Sequence, residues 1–265
     1  MITDRFPSLR ALILDMDGVI WKDAEPIIDF PKTFELINWL GLKVILATNN
    51  ATKGVEEYLS KIKNFGVTLE SWQILTSSLA TKDYLLKNLQ PESQIYVVGT
   101  DSLRRLLGKD GFKIADVGEY RSADAVVVAL DPNITYEKLT NAALLIRNGA
   151  RFIATNADKT FPSPKGLLPG AGAIVSAVRE ASGTEPIIIG KPYSSMYEVA
   201  FHRLGLAAHQ VMGIGDRLET DILGAQQSGC LSGLVLSGVS TEKAAAEWKP
   251  AIDIISADLM SLLNA

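Results

Sequence analysis

Short runs of apolar residues alternate with longer helical stretches along almost the whole chain, and this alternation restricts the fold more than any other feature. The runs are LILD at 12–15, KVILATN at 43–49, QILTSS at 73–78, IYVVG at 95–99, AVVVAL at 125–130, RFIAT at 151–155, PIIIG at 186–190, VMGIGD at 211–216 and LSGLVLSG at 231–238. Most are apolar at successive positions rather than at every second one, the pattern of a strand covered on both faces in a parallel sheet. Helical patterns at 53–64, 79–89, 135–148, 171–182, 195–204 and 219–228 separate them. Gly149, Gly183, Gly205 and Gly229 stand where helix C-terminal caps fall. The reading is α/β, with a doubly wound parallel sheet. So many strands crowd a single open sheet in 265 residues, so a second, smaller α/β unit is expected.

Charge narrows the partners. The net charge is −4 and the basic residues are scattered, which argues against a nucleic-acid polymer, whose backbone needs a basic face. No apolar run approaches the roughly 18 residues of a membrane span, and MITDRFPSLR lacks the apolar stretch of a signal peptide. A cytoplasmic location is expected. The single cysteine, Cys230, leaves no internal disulfide and no multi-cysteine zinc site, and it reads as a small buried hydrophobe.

The chemistry gathers at strand ends. In LILDMDGVI at 12–20, side chains alternate along the strand, so Asp15 and Asp17 point the same way, toward the crevice where such sheets bind ligands. Two acids leaving an apolar strand need positive charge nearby, and a divalent cation supplies it. Gly18 allows a sharp departure from the strand. An EF-hand loop counted from Asp15 would need glycine at the sixth position and glutamate at the twelfth, where Ile20 and Pro26 stand. A turn with two solvated acids remains the alternative for this motif taken alone.

Three more strand ends add to it. KVILATNN delivers Thr48, Asn49 and Asn50, a hydroxyl and amides suited to an anion, although Asn50 also suits helix capping. PIIIGKP delivers Lys191 between Gly190 and Pro192, and VMGIGDRLETDI delivers Asp216 and then Asp221. Asp216 suits a hard metal, whereas Asp221 suits bracing the loop or Lys191. A dinucleotide fold would need G-x-G-x-x-G after the first strand, a place held here by aspartates.

The ordered set DMDGV, TNN, GKP and GDRLETD resembles the haloacid dehalogenase superfamily, and within it the NagD-like and p-nitrophenylphosphatase-like phosphatases. RFIATNADKT…LLPGAGAIVSAV at 151–178 resembles that subgroup's cap domain. The resemblance implies a Rossmann-like core of residues 1–78 and 187–265 carrying an inserted cap at 79–186. It implies a Mg2+-dependent phosphatase for small phosphorylated metabolites. Asp15 is then the nucleophile that forms an aspartyl-phosphate, and Asp17 the acid and base. Asp15, the Asp17 backbone carbonyl and Asp216 hold the metal, while Thr48, Asn49 and Lys191 hold the phosphate. Gly18, Asn50 and Asp221 support them, and the cap loop with Asn156 and Asp158 is a candidate substrate loop, with loop bracing as its alternative. The G-x-G of PGAGAIV at 169–175 reads as a helix entry rather than a nucleotide loop. Two stretches depart from the subgroup's pattern: Asp29 to Pro31 replace a glycine-alanine pair, and ATKGV follows the second motif. A phosphotransferase or mutase of the same superfamily, and an idle phosphate-binding protein, are the competing readings. Substrate choice among nucleotide, sugar phosphate, phosphoglycolate and pyridoxal phosphate stays open, as does assembly into a homo-oligomer.

Overall fold

The computed structural model describes residues 1–22, 24–116, 118, 121–163 and 165–265. Contacts among them divide the chain into two compact units. One comprises 1–48, 55–75 and 191–265, the other 49–54 and 76–190.

The first unit is built on a sheet that, among the described residues, orders its strands Ile254–Ser256, Leu231–Val235, Val211–Gly215, Ala11–Leu14, Lys43–Thr48 and Ile74–Thr76. The central pairs run parallel, with Leu14 level with both Ile214 and Leu46. That register sets the height of the site, because the residues just past these positions leave three neighbouring strands at one level. All four residues of Ala11–Leu14 are buried, as the unbroken apolar run requires. A cluster of Leu12, Leu14, Met16, Phe30, Phe34, Ile37, Tyr58 and Ile62 fills the interior on one side. Phe30, Phe34 and Ile37 recur at the spacing of a helix face, and the helix Phe30–Trp39 presents them inward. Asp29 starts this helix, its side chain accepting the Lys32 N–H at 3.2 Å, with Pro31 in the first turn. The departure from the subgroup's pattern at Asp29–Pro31 is thus a helix start. The helix that ends at Leu204 closes against Gly205, whose φ of 66° is left-handed, a conformation that glycine adopts without the Cβ penalty.

The second unit has its own parallel sheet, ordered among the described residues Ile187–Ile188, Arg151–Ala154, Ala125–Val128, Gln94–Val98 and Lys113–Ile114. Helices Tyr136–Arg147 and Ala171–Ser182 supply apolar faces to its core, including Leu145, Ile146, Val175 and Val178.

Two elements differ from the sequence reading. The run PIIIG suggests a strand of the sheet that carries Asp15, but Ile187 and Ile188 pair with Ile153 and Ala154 in the second unit's sheet. An all-isoleucine run demands burial on both faces without saying in which sheet. LSGLVLSG ends as a strand at Val235, and the residues after it turn back toward Asp216.

Candidate active site

Asp15 takes one further ladder bond, its N–H donating to the Ile214 carbonyl at 2.8 Å. The chain then turns sharply. Met16 points into the core and is fully buried, while Asp17 is exposed, so the two acids lie on the side away from the core. The Val19, Ile20 and Trp21 N–H groups all return to the Met16 carbonyl, and the Gly18 N–H reaches the Trp21 carbonyl at 2.7 Å. Gly18 has φ 83°, and a Cβ there would collide with the Asp216 carboxylate. Glycine is required twice over, by the backbone and by the neighbour.

Lys191 joins these groups. It is 4% exposed, and its Nζ donates to Asp15 Oδ1 at 2.5 Å, to Asp221 Oδ1 at 2.6 Å and to the Ala47 carbonyl at 3.1 Å. Burial alone would pull the ammonium toward neutrality, but Asp15 and Asp221 outweigh it and raise its pKa. The Asp15 carboxyl is pushed well above the usual carboxylate range, first by burial and then by Asp221, Asp216 and Asp17, with Lys191 opposing.

Asp221 sits in a π-turn at Leu218–Ile222. Its Oδ2 accepts the Arg217 N–H at 3.1 Å, and the Tyr197 hydroxyl donates to its backbone carbonyl at 3.0 Å. Gly215 lets the carboxylate lie against the strand, since a Cβ there would overlap it. Asp216 is 1% exposed. Its Oδ2 accepts the Val239 N–H at 2.8 Å from the loop after Val235, and Gly238 makes room for that approach. Asp216 Oδ1 is buried and has no hydrogen-bond partner among the described residues. Burial and then Asp221 push its carboxyl up to about 6, against the Val239 N–H, Arg217 and Lys191.

Oxygen atoms of Asp15, Asp216 and Asp221 lie within 4.8 Å of one another. Three carboxyl groups meet one ammonium, the only cation paired with them among the described residues, so full ionisation would leave two negative charges unbalanced. A buried, unpartnered oxygen beside that excess fits a small divalent cation with hard-oxygen preference. Asp221 is the poorest donor of the three, because Lys191 and the Arg217 N–H occupy its two oxygens.

The sheet register therefore brings Asp15, Thr48 and Asp216 to the ends of neighbouring strands of the first unit, Asp17 follows in the turn after Asp15, and Lys191 and Asp221 join them through their ion pairs. Thr48 is buried. Asn49 and Asn50 group with the second unit. There Asn156 Nδ2 donates to the Asn49 carbonyl at 2.7 Å, and Asn49 Nδ2 donates to Asp158 Oδ1 at 3.1 Å. Asn50 Oδ1 accepts from the Thr52 N–H and hydroxyl. The loop with Asn156 and Asp158 also lies on the start of the helix Ala171–Ser182: the Gly172 N–H donates to the Asp158 carbonyl at 2.9 Å, and a Cβ at Gly170 or Gly172 would strike that loop's backbone. The glycines of PGAGAIV serve close packing. Sequence reasoning did not single out Tyr197, Gly215, Gly238, Val239 or Trp21. Burial pushes the Cys230 thiol up to about 12, in keeping with a buried hydrophobe. Among the described residues, no helix is long and apolar enough to cross a membrane.

Comparison with known proteins agrees with this geometry. A family profile described as haloacid dehalogenase-like hydrolase matches residues 12–113, and a second, described as HAD-hydrolase-like, matches 188–262. An acid sugar phosphatase of Staphylococcus saprophyticus is 35% identical over 236 residues, covering 89% of this chain and 90% of its own. The chain belongs to the haloacid dehalogenase-like hydrolases. Among solved structures of this family, the p-nitrophenyl phosphatase from Archaeoglobus fulgidus superposes with a TM-score of 0.89 at 30% identity, covering 97% of this chain and 98% of that one. A glycerol phosphate phosphatase from Mycobacterium tuberculosis, in complex with magnesium, gives 0.88 at 32% identity, over 96% and 76% of the two chains.

The raised Asp216 pKa has a sign that can be tested. Its unfolded value is about 3.9, so the metal-free fold favours the protonated acid. This contribution to stability is fully present below about pH 4 and is lost as the pH rises toward 6, by on the order of 3 kcal/mol. A divalent cation bound at Asp216 would need the carboxylate and would reverse the preference. The rise in melting temperature on adding Mg2+ is therefore expected to be large at pH 7.5 and to vanish by about pH 5, as followed by scanning fluorimetry. A shift independent of pH would contradict the placement of the ion at Asp216.

Proposed function

We propose that this phosphatase hydrolyses small phosphate monoesters with Mg2+, through an aspartyl-phosphate on Asp15. The observation that carries the reading is the Asp15 carboxylate, whose oxygens lie within 4.8 Å of those of Asp216 and Asp221 and which is bonded at 2.5 Å to a buried lysine. A phosphate monoester repels nucleophiles by its own charge, so catalysis depends on positioning and charge neutralisation. Asp15, the Asp17 backbone carbonyl and Asp216 would hold the cation, which when bound would neutralise phosphate charge and favour the ionised Asp15.

The chain's own groups divide the remaining work. Asp15 attacks phosphorus while the ester oxygen departs on the opposite side. Lys191 favours the charged form of Asp15 against the burial that opposes it, and offsets the charge of the phosphate. Thr48 and Asn49 donate to phosphate oxygens. Asp17 gives its proton to the leaving oxygen and then takes one from the water that cleaves the aspartyl-phosphate. We read the second unit as the cap that selects substrate, with the loop of Asn156 and Asp158 as its bracing of Asn49. The names of the relatives cover sugar, aryl and glycerol phosphates, which supports a small phosphorylated metabolite as the substrate class.

Chelation tests the metal. Hydrolysis of p-nitrophenyl phosphate is expected to fall about a hundredfold or more in EDTA, since the ion contributes several kcal/mol, and to return with Mg2+. Full activity in chelator-treated, metal-free protein would overturn the metal assignment.

A further inference from the structure

Asp17 is exposed, yet its carboxylate is held. The Trp21 indole Nε1–H donates to Asp17 Oδ1 at 2.9 Å, across the tight turn that Gly18 opens. Trp21 itself is 2% exposed and is fixed on several sides. Its ring lies parallel to Phe30 and to Tyr58, with centroids 6.3 Å away in each case, and tilted against Phe65 at 6.5 Å. Lys61 Nζ stands 3.8 Å from the ring centroid, a distance at which the cation draws on the π-system and so strengthens the indole N–H as a donor. Burying a tryptophan on its apolar faces while aiming its one donor at an exposed acid is more than core packing requires.

We propose that Trp21 is a positioning residue for proton transfer, acting through Asp17. This rests on the reading of Asp17 as the acid and base. An indole N–H can only donate, so Oδ1 must accept and the proton of the acid form sits on Oδ2. In the first step the Oδ2–H bond breaks and the proton goes to the ester oxygen as its bond to phosphorus breaks. In the second step Oδ2 takes a proton from the water whose oxygen bonds phosphorus, as the bond from phosphorus to the Asp15 oxygen breaks and the Asp15 carboxylate is restored. Without the indole donor the carboxyl rotates, and the proton is shared between two oxygens of which one is well placed.

The test is Trp21→Phe, which keeps a ring in the stack and removes the N–H. Rapid-quench measurement of the phosphorylation step compares p-nitrophenyl phosphate, whose leaving group departs without a proton, with glycerol phosphate, whose alkoxide needs one. The expected result is a fall of about ten- to a hundredfold with glycerol phosphate, part of the 10²–10⁴ that general acid catalysis supplies, and less than about threefold with the aryl ester. Phe30→Leu loosens the same stack without touching Asp17, and is expected to lower thermal stability while affecting both substrates alike. Asp17→Asn, measured beside them, separates the two levels of the argument. If Asp17→Asn is selective for the alkyl ester and Trp21→Phe is not, the role of Trp21 is refuted while the reading of Asp17 stands. If Asp17→Asn is not selective either, the reading of Asp17 falls and the inference falls with it.

Discussion

Replacing Lys191 with methionine is expected to damage the fold and the chemistry together. The side chain is buried and bonds two carboxylates. Methionine fills similar space but leaves Asp15 and Asp221 facing each other and Asp216 without compensation. Removing one partner of a buried ion pair typically costs about 3–5 kcal/mol, mainly because a charge is stranded. The stranded Asp15 carboxylate can protonate, so the cost has a direction with pH. Its folded pKa, already raised above the unfolded one, rises further when Lys191 no longer opposes the shift, and the penalty is full above the folded value and relieved below it. Denaturant unfolding of the metal-free variant should therefore show a large loss at pH 8 and a much smaller one at pH 5. Catalysis is expected to fall by about 10²–10³ or more, the scale for losing one group that stabilises developing charge. A Lys191→Met protein as stable as the parent at pH 8 would mean that the lysine does not balance the acids.

The two acids of the first strand end should fail in different ways. On the proposed mechanism Asp15→Asn removes the nucleophile, so no phosphoenzyme forms with any ester and turnover is abolished. Asp17→Asn keeps the nucleophile and removes the proton carrier. A sugar or glycerol alkoxide cannot leave readily without a proton, so phosphorylation by such esters stalls, by about 10²–10⁴. A nitrophenolate leaves unaided, so phosphorylation by the aryl ester continues and hydrolysis of the intermediate becomes slow. The observable is a burst of nitrophenol of about one equivalent, followed by a slow steady rate. A burst in Asp15→Asn and none in Asp17→Asn would reverse the two roles.

Much of this placement is legible in the residues. Period-two alternation puts Asp15 and Asp17 on one side, and the buried Met16 between them is what that alternation requires. The level ends of three strands follow from parallel pairing of apolar runs, and so Asp216 and Thr48 come beside Asp15. Other features are not legible, for reasons that differ. PIIIG shows burial on both faces, a property that two different sheets satisfy, so the run does not reveal which sheet it joins, although the lysine it delivers stands out. Thr48 and Asn49 are neighbours in sequence, but the chain changes unit between them, and nothing local marks such a crossing. The loop that reaches Asp216 through the Val239 N–H acts with its backbone, which no side-chain motif records. Trp21 looks like one more core aromatic, and only the turn at Gly18 brings its indole back to Asp17. The helix Phe30–Trp39 carries an ordinary i, i+4, i+7 apolar face and an Asp–Phe–Pro start, and is open to reading from those alone.

The most direct measurement is to locate the phosphoryl group. Asp17→Asn protein mixed with p-nitrophenyl phosphate and Mg2+, quenched in acid during the burst, should gain the mass of one phosphoryl group per chain. Reduction with borohydride followed by peptide mapping should place the modification on Asp15, with Asp15→Asn protein unmodified. An unmodified Asp17→Asn chain during the burst, or a phosphoryl group found on any other residue, would contradict Asp15 as the nucleophile.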